Sequence, residues 1–218
     1  MGRVAVFWGS TIGRKIVMGL TGVVLVAFVI VHLAGNLLVY RGPEAENHYA
    51  SLLKANPLLL WTVRGVLLAA LILHVWAGLS LAQLARESRP TPYRTLAHQV
   101  TTPASRSMRW GGLFLLLFIV IHLLHFTTGT LHPRFDTANV YGNLVTGFQI
   151  WYAALFYLVA MVLLGLHLFH GGPALFQSLG LSHPGYDRPR RQVMRAVAVV
   201  LFGGFASIPL AIWLGLVK

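Results

Sequence analysis

The chain contains no cysteine. That excludes disulfides, iron–sulfur clusters ligated by this polypeptide, and covalent haem attachment through a Cys-x-x-Cys-His motif, so any redox cofactor must be held non-covalently. Charge is also scarce, at 10% of residues against roughly a quarter in soluble domains. Acids are scarcest, with five Asp and Glu against 17 Lys and Arg. All five, Glu44, Glu46, Glu87, Asp136 and Asp187, fall outside the long apolar runs, which leaves no carboxylate for a proton relay within them. There is no flavin or nicotinamide fingerprint, no internal repeat and no sign of a second domain.

What is present is mostly apolar: 56% of residues are hydrophobic and the mean hydropathy is +0.71. This composition belongs to an integral membrane protein. Five runs, about 15–40, 57–85, 109–131, 148–176 and 193–216, each supply the roughly 20 residues that cross ~30 Å of hydrocarbon. The expected fold is an all-α membrane protein with five transmembrane helices in one domain, residues 1–218. The N-terminal MGRVAVFWGSTIGRKIV leads into an apolar run too long for a signal-peptide core and reads as the first membrane helix, retained. The segments between the runs, including RGPEAENHYASLLKANP, HPRFDTANVYGN and SHPGYDRPRRQ, read as loops.

Basic residues sort by side. Arg3, Arg14, Lys15, Arg86, Arg89, Arg94, Arg106, Arg109, Arg188, Arg190, Arg191 and Arg195 fall on one face, and Arg41, Lys54, Arg64, Arg134 and Lys218 on the other. The positive-inside rule puts the first face, with the N-terminus, in the cytoplasm and the C-terminus outside. The net charge of +12 is thereby spent on topology and on anionic lipid head groups rather than on nucleic acid. The long basic stretch with Arg86, Arg89, Arg94, Arg106 and Arg109 offers a docking face for a soluble partner.

Histidine recurs in four of the five runs: His32 in VIVHLAGN, His74 in LILHVWAG, His122 and His125 in FIVIHLLHF, and His167 and His170 in GLHLFHGG. At ~1.5 Å of rise per residue, His32 stands ~27 Å, His122 ~20 Å and His125 ~24 Å above the inner boundary, whereas His74 stands ~18 Å, His167 ~15 Å and His170 ~10 Å above it. Helices one and three therefore offer an outer pair, helices two and four an inner pair, with His125 fitting the depth of His32 slightly better than His122 does. Two imidazoles on different helices at matched depth are what a six-coordinate haem requires. Glycines such as Gly22, Gly35, Gly78, Gly112, Gly165 and Gly172 would let a macrocycle approach the helix backbones, or else mark close helix packing. A tetrahedral zinc site would need three or four ligands at one point, often with a carboxylate, and the histidines split into two layers without one. A transporter using histidines as a proton relay lacks carboxylate partners. His48, His98, His132 and His183 fall in loops, where solvated or interfacial roles are the default.

Over nearly its whole length the chain resembles the single-chain, five-helix, di-haem cytochrome b anchor of succinate dehydrogenases and fumarate reductases. The stretches that carry the resemblance are STIGRKIVMGLTG, VHLAGNLL, GPEAENHYA, NPLL, LHVWAG, VIHLLHF, LLGLHLFHG and FQSLGLSHPGY. It implies a four-helix haem-binding bundle with a fifth, peripheral helix, and two b haems: an outer one on His32 and His122, an inner one on His74 and His167. His125 and His170 stand where related chains carry Asn or Asp, which implies supporting roles. The resemblance further implies a flavoprotein subunit and an iron–sulfur subunit docked on the cytoplasmic side, electron transfer to quinone, and residence in a bacterial or archaeal cytoplasmic membrane; a higher oligomer is compatible with it. The di-haem single-chain type favours menaquinone. Quinone candidates are Glu44, the best positional match for an acidic residue on the outer side, with Glu46 and His48, and Ser10 and Arg14 as the inner alternative. The competing enzyme class is the di-haem cytochrome b of a quinone-linked hydrogenase or formate dehydrogenase.

Overall fold

Ser10 ends one helix and starts the next. Its backbone is extended (φ −83°, ψ 149°), and its hydroxyl accepts from the Gly13 amide at 2.9 Å, an N-cap that satisfies one of the donors orphaned at a helix start. It separates α1 (Arg3–Gly9) from α2 (Thr11–Asn36), which tightens into a 3₁₀ turn over Leu37–Arg41. The computed structural model describes residues 2–88 and 102–218, and Arg89, Arg94 and His98 lie outside them. Among the described residues all regular structure is helical: α3 (Pro43–Lys54), α4 (Pro57–Glu87), α5 (Pro103–His122, continued by a π-turn over Leu123–Thr127), α6 (Val140–Gln149), α7 (Trp151–Ser178) and α8 (Pro184–Trp213) follow. The five long ones, α2, α4, α5, α7 and α8, are each long and apolar enough to cross a membrane. The protein is thus an all-α, five-span integral membrane protein.

Several boundaries differ from the sequence expectation, each for a local reason. RGPEAENHYASLLKANP and HPRFDTANVYGN were expected as loops. Instead, Gly42 turns the chain at φ +93°, Pro43 occupies the first turn of α3 and Asn139 caps α6, its carbonyl accepting from Gly142 at 2.9 Å. The extended Ile150 (φ −78°, ψ 108°) then breaks α6 from α7, so the fourth span starts at Trp151 rather than about 148. The fifth starts at Pro184 rather than about 193, because the first turns of α8 are helical but too charged to register as a span. The end of α7 is a Schellman motif: Gly180 has φ +73°, its amide donates to Gln177 O at 3.2 Å, and Leu181 N donates to Phe176 O at 2.8 Å.

The spans pack as a ring left open between α4 and α5. α2 lies against α4 and α7, and α5 lies against α7, so α2 faces α5 and α4 faces α7 across diagonals that are not packed backbone to backbone. α8 stays outside this ring, running along α7 and touching α2. The buried core sits along that seam (Leu33, Leu168, Ala198 and Leu201) and at the outer end, where Val39, Leu144, Phe148, Tyr157 and Ile208 cluster. The outer end, named by the charge bias, is capped by α3, α6 and the segment between α5 and α6. Lys54 donates to Thr137 O at 2.5 Å, Asn47 to Asn139 at 3.1 Å, Tyr141 to Lys218 O at 2.8 Å, and Tyr40 to Ser207 at 2.8 Å.

One glycine holds α3 against α2. A Cβ on Gly35 would lie 2.5 Å from the Tyr49 ring. Gly35→Val should therefore cost about 1–3 kcal/mol by overpacking, read as a lower unfolding midpoint in detergent, and Tyr49→Ala in the same chain should recover part of it. Equal losses with and without Tyr49→Ala would show that the contact is not what fixes this helix pair.

Candidate cofactor site

Both diagonals are bridged by histidines. His32 on α2 and His122 on α5 have ring centres 5.8 Å apart, and His74 on α4 and His167 on α7 have theirs 6.2 Å apart. Metal–imidazole bonds of ~2.0 Å on either side of one ion, each followed by half a ring, separate two ring centres by ~6 Å. All four rings are only partly buried, although they lie inside the ring of helices. Among the described residues no three His, Asp or Glu side chains converge as a metal ion with three or more protein ligands would require. The geometry is of two separate histidine pairs.

The surroundings orient the rings. His74 Nδ1 lies 3.1 Å from Met18 O and 3.3 Å from Thr21 Oγ1, and the Thr21 hydroxyl lies 2.7 Å from Val17 O. A carbonyl accepts only from N–H, so Nδ1 carries the proton and Nε2 is bare, the tautomer a metal ligand needs. His167 Nδ1 is buried without a hydrogen-bond partner. A Cβ on Gly22 would lie 3.5 Å from His74 Cε1, and one on Gly112 3.9 Å from His167 Cε1, so both glycine backbones stand in van der Waals reach of the inner pair. Gly35, Gly165 and Gly172 act differently: their missing Cβ is replaced by Tyr49, Phe202 and Met194 from neighbouring helices, which is close packing and not room for a cofactor. At the outer pair Phe28 stacks on His32 (5.2 Å, 15°) and Phe118 on His122 (5.7 Å, 29°). Asn36 lies 3.3 Å from His32 Nδ1.

His125 does not face His32. It is 5% exposed and its Nδ1 lies 3.1 Å from the Tyr157 hydroxyl, which also lies 3.4 Å from His122 Nδ1. One hydroxyl proton suffices for both contacts if His122 Nδ1–H donates to Tyr157 and Tyr157 donates to His125. That arrangement leaves His122 Nε2 bare and makes His125 an anchor for the tyrosine. Tyr157 is a residue that sequence reasoning missed, although a hydroxyl in the middle of FYLVAMV was the available signal. His170 is exposed on α7. His132, for which a solvated or interfacial role is expected, is buried. Its Nε2 donates to Asn143 O at 2.9 Å and its Nδ1 accepts from Arg134 N at 3.1 Å, tying the outer cap together. His48 is exposed on α3, and His183 caps α8, accepting from Gly185 N at 3.1 Å.

The quinone candidates separate. Glu44 is exposed, but Glu46, two residues on, is 4% exposed with Oε2 unpartnered, and burial pushes its carboxyl up to about 7. At the inner end the Ser10 hydroxyl is engaged, donating to Phe7 O at 2.9 Å. Arg14 Nε donates to Trp8 O at 3.2 Å and its guanidinium lies 5.9 Å from the Trp76 ring centre, beside a Trp8–Trp76 pair 5.5 Å apart. No protein-family profile, characterised protein or solved structure matches the chain.

Proposed function

We propose that the protein is the di-haem cytochrome b subunit that anchors a succinate:quinone oxidoreductase and passes electrons between its iron–sulfur subunit and a quinone, menaquinone by the sequence resemblance. The observation that carries this reading is the two histidine pairs on the two diagonals of the ring, each with ring centres at the spacing of a bis-imidazole metal. His32 with His122 would hold the outer haem, and His74 with His167 the inner. Bound there, haem supplies one-electron transfer, while the protein supplies position and electrostatics. Met18 and Thr21 set the tautomer of His74, Tyr157 holds His122, and Phe28 and Phe118 fix the outer rings in rotation.

Quinone reduction also needs protons, and a carboxyl that burial holds near neutrality can both give and take one. Buried Glu46 therefore takes the role that position alone gave to Glu44, with His48 and Glu44 at the surface beside it. The succinate chemistry would belong to a flavoprotein docked on the basic inner face through the iron–sulfur subunit, since this chain has neither a flavin fingerprint nor cysteines.

The test is purification from membranes with haem quantitation and a reduced-minus-oxidised spectrum. Two low-spin b haems per chain, together with a copurifying protein that carries covalent flavin, are the expected result. A chain without haem would overturn the reading, and copurification with a hydrogenase or formate dehydrogenase would move it to that class.

A further inference from the structure

The first turns of α8 are rich in charge, and that charge is divided between two faces. Arg190 pairs with Asp187 of its own helix at 2.8 Å and reaches the end of α7, where it donates to Leu181 O at 2.6 Å and lies 5.0 Å over the Phe176 ring. Arg188, Arg191 and Arg195 recur at three- and four-residue spacing and so share a different face. All five carboxylates of the chain fall among the described residues, and none pairs with these three. With Pro184, Asp187 and Gln192 of the same helix they line an open cavity of ≈ 510 Å³, in which the one carboxylate, Asp187, is already paired with Arg190.

The same face of α8 continues outward as Ala198, Val199 and Phe202. Opposite Gly165, Leu166 and Phe169 of α7, and joined by Thr102, Pro103 and Ala104 at the start of α5, these line a second cavity of ≈ 380 Å³ with apolar walls. The Arg195 guanidinium, which lines the first cavity, lies 4.8 Å over the ring of Phe169, which lines the second. A cationic recess that runs on into a dry groove, at the level where the span begins, fits an amphiphile with an anionic head and a hydrocarbon chain. Val193, Val199 and Val200 around Arg195 are 60%, 61% and 64% exposed, so apolar surface surrounds the arginine on the span where acyl chains would lie.

We propose that the inner end of the α7–α8 seam binds one anionic phospholipid, its phosphate on Arg188, Arg191 and Arg195 and an acyl chain between Phe169 and Phe202. The site does not depend on the haem reading. It is tested by delipidating the purified protein in detergent and titrating phosphatidylglycerol, phosphatidylcholine and inorganic phosphate by native mass spectrometry. One phosphatidylglycerol per chain should bind at least about tenfold more tightly than phosphatidylcholine, and the triple change Arg188→Gln, Arg191→Gln, Arg195→Gln should weaken it about a hundredfold. Val199→Trp, which fills the groove and leaves the arginines in place, should weaken phosphatidylglycerol as well, and inorganic phosphate should not displace the lipid.

Equal affinity for the two lipids overturns the proposal, as does a triple variant that binds normally. Loss of a copurifying soluble subunit with lipid binding unchanged would assign the arginines to a protein partner instead. If the triple variant fails to accumulate, the lipid contrast on the unaltered protein and Val199→Trp still decide.

Discussion

If the two histidine pairs hold haem as proposed, replacing His122 by leucine should leave the purified protein with one haem instead of two, and replacing His125 by leucine should leave both. The difference follows from position. His122 lies across the diagonal from His32 with ring centres 5.8 Å apart, whereas His125 is turned away and hydrogen-bonded to Tyr157. His32→Leu should remove the same haem as His122→Leu, while His74→Leu and His167→Leu should remove the other, so the four variants fall into two spectral classes. An imidazole ligand lost from a six-coordinate iron leaves either an empty site or a five-coordinate, high-spin one, and both are read directly in the absorption spectrum. If His125→Leu lost a haem and His122→Leu kept it, the pairing within α5 would be reversed. Four variants with undiminished haem would remove the site altogether.

Glu46→Gln should make the protein more stable at pH 8 and leave it nearly unchanged at pH 4. A buried carboxyl raised to about 7 from an ordinary 4.5 resists ionisation in the folded state. In the unfolded chain it ionises freely. Its contribution is therefore fully present below about 4.5, is lost progressively as pH rises toward 7, and stays lost above. The shift corresponds to about 3 kcal/mol at pH 8, which the neutral amide would restore. Unfolding in detergent at the two pH values measures it, with Glu44→Gln as the control, since Glu44 is exposed. Parallel curves for wild type and Glu46→Gln across this range would show that Glu46 is solvated in solution.

The contrast between Glu44 and Glu46 shows where sequence reading stops. Both sit in GPEAENHYA with nothing in composition to separate them, and only the winding of α3 exposes one and buries the other. The five spans were legible because a long apolar run has no alternative in water. α3 and α6 were not, because a short helix with mixed polarity reads like a loop until capping and packing on the outer core decide it. The charged first turns of α8 lowered its hydropathy and hid the true start of the helix. The depth of each histidine followed from helix rise alone, which is why the layers could be assigned. The choice between His122 and His125 was open, because the π-turn that begins at Leu123 changes the register between the two residues and no periodicity announces it.

The diagonal arrangement also orders events during synthesis. Each histidine pair joins one residue from α2 or α4 with one from α5 or α7, so no contiguous half of the chain holds a complete site. The first two spans can insert and pair while the rest is still on the ribosome, but they present a single imidazole at each level. The outer pair closes once α5 has been inserted and the inner pair only after α7. Under the proposed haem binding, capture of the cofactor would be a late step in biogenesis, and it would fasten the early half of the polypeptide to the late half. A cell short of the cofactor would accumulate full-length, inserted protein whose two halves come apart more readily.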